Sequence, residues 1–97
     1  MAEDLAVLTA TIGDHMGGLL SRAPLKPWED FFEAGGDSLQ AVELHSRLVE
    51  ARDCPDEASA EQLRTDLLLM IFDDATPDAL SGVLSAYPPA NTRLQAV

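Results

Sequence analysis

Apolar residues recur every three or four positions along most of this chain, and strand-like alternation is nearly absent. Leu5, Leu8, Ile12, Met16 and Leu19 form one stripe, which predicts a first helix from about Glu3 to Leu20. Gly13, Gly17 and Gly18 weaken that helix, and the Gly17-Gly18 pair is expected to end it. Ser21 to Asp30 reads as a loop, because Pro24 and Pro27 block helix continuation, with Leu25 and Trp28 as apolar pins. A second helix is predicted from Ser38 to about Ala51, with Ala41, Leu44 and Leu48 facing inward and Glu43, Arg47 and Glu50 outward. Thr76-Pro77-Asp78 starts a last helix with an N-cap, a proline at the first helical position and an acid in the first turn. That helix carries Leu80, Val83 and Leu84 and stops at Tyr87-Pro88-Pro89, leaving residues 90–97 as a frayed tail.

The stretch between the second and last helices is less decided. Pro55-Asp56 followed by Glu57 to Leu63 reads as a helix start with good helix formers. It forms either a separate surface helix or one long third helix running through Leu67 to Phe72. Thr65-Asp66 has cap chemistry, so a break is expected there. Arg52 to Thr65 holds Asp56, Glu57 and Glu61 but few large apolar residues, so it is expected on the surface beside the second helix.

The chemistry concentrates in Phe31-Phe32-Glu33-Ala34-Gly35-Gly36-Asp37-Ser38-Leu39. Two glycines free the backbone to turn, and Asp37-Ser38 then opens the second helix. Ser38 is thereby placed at a helix N-terminus with its hydroxyl in solvent, where unpaired amides and the helix dipole favour a phosphate. Leu39 and Val42 fall close to Ser38 on a meridian away from the inward stripe, and are expected to be half exposed.

Charge and cysteine content narrow the function classes. A formal charge of −11 repels phosphate backbones, which argues against nucleic acid and anionic membrane, and steers the chain toward basic patches on protein partners. Cys54 is the single cysteine, so no internal disulfide forms and a reducing compartment fits. No secretory leader and no membrane-length apolar run is present, which reads as cytoplasmic. Ninety-seven residues make one small domain, 1–97, with a core over about 4–87. The start at Met1 suits a freestanding protein, and an excised domain would read the same. A nucleophilic Ser38 would need a base, yet His45 lies two helical turns away and His15 is on another helix, so neither serves. Cys54 and the two histidines lack metal-ligand spacing.

The glycine–serine segment resembles the attachment site of acyl and peptidyl carrier proteins, and the doubled glycine is closer to the peptidyl type. The resemblance extends from about Leu5 to Tyr87, and includes the aromatic pair Phe31-Phe32 that carriers bury before the glycine turn. It implies an all-α, small four-helix bundle, here with an extended connection between helices 2 and 3 of roughly ten additional residues. It implies that Ser38 carries a 4′-phosphopantetheine arm from coenzyme A as a phosphodiester, with Asp37 and Gly36 completing the site. The second helix becomes the recognition helix, with Leu39, Val42, Glu43 and Ser46 as docking contacts. The implied role is a non-enzymatic carrier of acyl or aminoacyl thioesters in nonribosomal peptide or polyketide-type biosynthesis. Implied partners are a phosphopantetheinyl transferase and adenylating, acyl-transferring or condensing enzymes, acting on a monomer. An unmodified acidic helical adaptor is the alternative. Gly36-Asp37-Ser38-Leu39 also matches the signature of a lipase and esterase family, but those enzymes resemble α/β proteins about twice as long with a late Asp-x-x-His that this chain lacks.

Overall fold

Each helix begins on a side chain that accepts a hydrogen bond from the first turn. The computed structural model describes residues 4–89, and the predicted tail lies outside them. Asp4 caps α1 (Leu5–Leu19) by accepting from the Ala6 amide at 2.9 Å. Asp37 caps α2 (Ser38–Arg52), and Asp56 caps α3 (Glu57–Asp73) by accepting from Ser59 N at 2.7 Å. Thr76 Oγ1 accepts from Ala79 N at 3.2 Å to start α4 (Pro77–Ser85) on Pro77. Each such cap stabilises its helix by about 1 kcal/mol.

The four helices form a ring in chain order, each packed on its sequence neighbour and α4 closing against α1. Ile12 and Met16, Ala41, Leu44 and Leu48, Leu63, Leu67 and Ile71, and Leu80 and Leu84 meet in the middle. No strand occurs among the described residues, and the all-α bundle stands as expected.

Four expectations are corrected by packing. Gly17-Gly18 does not end α1, which continues to Leu19. Its glycines instead let the following loop lie directly on the helix. A Cβ at Gly13 would sit 2.4 Å from the Leu25 carbonyl oxygen, and one at Gly17 2.7 Å from that of Ala23. Leu25 N donates to Gly13 O at 3.1 Å, so this loop is fastened rather than loose. Trp28 is not an apolar pin: it is 72% exposed, with the Lys26 ammonium 5.9 Å from its ring centre, while Leu25 is buried.

The third correction concerns α3, which is one helix with no break at Thr65-Asp66. The cap-forming side chains there are engaged otherwise. Thr65 Oγ1 donates back to Glu61 O at 3.3 Å, and Asp66 accepts from Gln62 Nε2 at 3.0 Å and from the Tyr87 hydroxyl. Only Asp53 to Asp56 remain as loop, so the expected extended connection is short and residues 57–65 belong to α3. Nor does the Arg52–Thr65 stretch lie wholly on the surface. Leu63 is fully buried in line with Leu67 and Ile71, and Arg52 is buried with its Nε donating to Tyr87 O at 2.7 Å.

Candidate functional site

The turn that leads into α2 is built from the bottom by Asp30, whose Oδ1 accepts from Phe32 N at 2.8 Å and Glu33 N at 3.1 Å. Gly35 then takes φ +117°, a conformation L side chains rarely adopt. Gly36 N donates to Phe31 O at 2.9 Å, and a Cβ on Gly36 would lie 2.4 Å from the buried Phe31 ring. The doubled glycine thus answers two separate demands, a left-handed backbone and a close approach. Phe31 N donates to Ala75 O at 2.9 Å and Asp78 N to Pro27 O at 3.1 Å, so the approach to the turn is stitched to the α3–α4 joint. Phe31 is buried, and its partner Phe32 is half-buried, edge-on to Phe31 at 5.8 Å and stacked on Phe72 at 5.7 Å.

Ser38 is the first residue of α2 and is exposed. Asp37 and Gln40 form a capping box around it. Gln40 N donates to Asp37 Oδ1 at 2.8 Å, and Asp37 N donates to Gln40 Oε1 at 3.1 Å. The same Gln40 side chain donates from Nε2 to Leu19 O at 3.2 Å, holding the start of α2 to the end of α1. Of the four amides a helix leaves without intrahelical partners, this box satisfies two and leaves those of Ser38 and Leu39. Among the described residues nothing hydrogen-bonds the Ser38 hydroxyl. An exposed hydroxyl beside two free amides at the positive end of a 15-residue helix suits a phosphodiester.

At about 100° per residue, Ser38, Leu39, Val42, Glu43 and Ser46 share one arc of α2, away from Ala41, Leu44 and Leu48. Leu39 is 83% exposed and Val42 52%, and Glu43 and Ser46 are exposed beside them. Glu43 pairs with Arg47 at 3.0 Å along the helix. His45 turns elsewhere, its Nε2 on Arg64 O at 2.7 Å, and cannot act as a base for Ser38. No group of three metal-binding side chains occurs among the described residues, and no helix among them is long and apolar enough to cross a membrane. Grooves of about 400, 450 and 330 Å³ exist, but their linings do not include Ser38.

Residues 10–84 match the family model described as the phosphopantetheine attachment site. The chain belongs to that family. No curated protein and no solved structure matches it. The family attaches 4′-phosphopantetheine covalently to a serine, and its members are carrier domains, generally not catalytic, that work with phosphopantetheinyl transferases and biosynthetic enzymes.

Sequence reasoning missed two contributors. Gln40 was legible as the fourth position of an Asp-x-x-Gln capping pattern. Phe72 was signalled by the run Leu67 to Phe72, which is too apolar for one inward stripe to absorb.

Proposed function

We propose that Ser38 is the attachment point and that the chain carries acyl or aminoacyl groups in nonribosomal peptide or polyketide-type biosynthesis, in the cytoplasm. The observation that carries this reading is the exposed Ser38 hydroxyl on the first turn of α2, inside the family-matched span. When bound, the group supplies a terminal thiol that holds cargo as a thioester. The protein's own residues do the rest. Gly35 and Gly36 let the chain turn above Phe31, Asp37 and Gln40 fix the helix start, and the Ser38 and Leu39 amides receive phosphate oxygens. Leu39, Val42, Glu43 and Ser46 offer an apolar patch with an acidic edge to the transferase and to adenylating, acyl-transferring or condensing enzymes. Tethering, rather than tight docking, then sets the effective concentration of cargo at each partner.

Incubation with coenzyme A and a broad-specificity transferase, read by intact mass, tests the assignment. The wild-type chain should gain one phosphopantetheinyl group, and Ser38→Ala should fold alike and gain none. Modification of Ser38→Ala would move the attachment elsewhere, and an unmodified wild-type chain would favour an acidic adaptor.

A further inference from the structure

We propose that the groove between α3 and α4 docks a basic amphipathic helix of a partner protein, on a face separate from Ser38. The six consecutive apolar residues Leu67 to Phe72 give α3 more apolar surface than its inner stripe covers. Leu67 and Ile71 fill the core, whereas Leu69 stands 66% exposed. With half-buried Met70 it faces half-buried Val83 and Tyr87 across a groove of about 450 Å³. An uncovered apolar floor of this kind marks an interaction surface.

Charge identifies the occupant. Asp66 and Asp73 line the same groove, seven residues apart on α3, or about 10.5 Å along its axis. Asp66 meets only neutral donors, Gln62 Nε2 and the Tyr87 hydroxyl, and Asp73 has no cation partner among the described residues. Two unmatched carboxylates bracketing an apolar floor complement a helix with Lys or Arg about seven residues apart and apolar side chains between them. A second copy of this chain brings another −11 charge and is repelled. Residues 90–97 bring a single cation, Arg93, which cannot match both carboxylates. At the same helical spacing, Leu68 and Phe72 lie on the α2 side of α3, so this groove is distinct from the face beside Ser38.

The probe is a synthetic Leu/Ala helical peptide with two Lys seven residues apart, titrated into the full-length ¹⁵N-labelled protein. A second peptide of identical composition with its lysines adjacent is the control. Amide shifts should centre on Leu69, Met70, Val83 and Tyr87, and the control should bind at least tenfold more weakly. Asp73→Lys and Leu69→Ser, both exposed positions, should each raise Kd at least tenfold with Tm retained. Val42→Asp and Ser38→Ala should bind as wild type, so failure here is distinguishable from failure of the carrier assignment. The proposal is overturned by shifts centred on Leu39 and Val42, or by wild-type binding of both groove variants. It is equally overturned if, in the free chain, Leu69 shows contacts to Leu94 or its shifts depend on protein concentration. Those results would assign the groove to the chain's own C-terminal residues or to a second copy.

Discussion

Gly36 and Gln40 decide how still Ser38 is held, and both can be tested one side chain at a time. Gly36→Ala forces a methyl into the Phe31 ring, 2.4 Å away in the present backbone. Overpacking of that kind costs about 1–3 kcal/mol. Thermal melting should record the loss, and modification at Ser38 should slow per folded molecule. Gln40→Ala removes half the capping box and the bond to Leu19, with an expected loss of about 1 kcal/mol. Val42→Asp should behave oppositely, changing stability by about 0.5 kcal/mol or less while partner loading falls about tenfold. A collapsed melt with loading per folded molecule unchanged would make Val42 a packing residue and overturn the docking role proposed for it. Much at this scale was legible, since Gly36, Asp37 and Ser38 follow from local rules about turns and caps. The reach of Gln40 to Leu19 was not, because it joins residues 21 positions apart that only the packed helices bring together.

Among the elements, α3 shows where local rules lose to tertiary ones. Thr65-Asp66 has the composition of a helix start, but Tyr87, just past the end of the neighbouring α4, claims Asp66, and the inward stripe Leu63, Leu67 and Ile71 runs straight past. A cap propensity of about 1 kcal/mol does not outweigh the burial of those side chains. Leu63→Ala should therefore cost about 2–5 kcal/mol in denaturant unfolding, against about 0.5 kcal/mol or less for Glu61→Ala one turn's edge away. Equal small effects would return this segment to the surface. The glycines of α1 teach the same lesson: read singly they weaken a helix, and read with Leu25 and Ala23 above them they are the floor of a loop. Asp53 closes α2 with φ 50°, so Asp53→Gly should stabilise by about 0.5–1 kcal/mol.

For the whole molecule, the join between the end of α2 and the end of α4 governs alkaline behaviour. The hydrogen bond to Asp66 holds the Tyr87 phenol above its usual value, and burial holds the Cys54 thiol above its own, Arg52 only partly opposing this. Both groups hold their protons more tightly folded than unfolded. Their contribution is therefore complete below the ordinary thiol and phenol pKa values and is lost as pH rises through the raised ones. Stability should fall progressively above about pH 9, and Tyr87→Phe should flatten the upper part of that decline. The two bonds that join the approach to Ser38 with Ala75 and Asp78 have a consequence in time rather than space. A ribosome makes the glycine turn before it makes either partner, so the turn has nothing to be sewn to until the last helix emerges. A chain ending at residue 74, which lacks both partners, should accordingly be a poor transferase substrate although it contains every residue of the motif. On the proposed reading, Ser38 is synthesised early but becomes a good substrate only once the residues that fasten its turn, up to the first turn of α4, are in place.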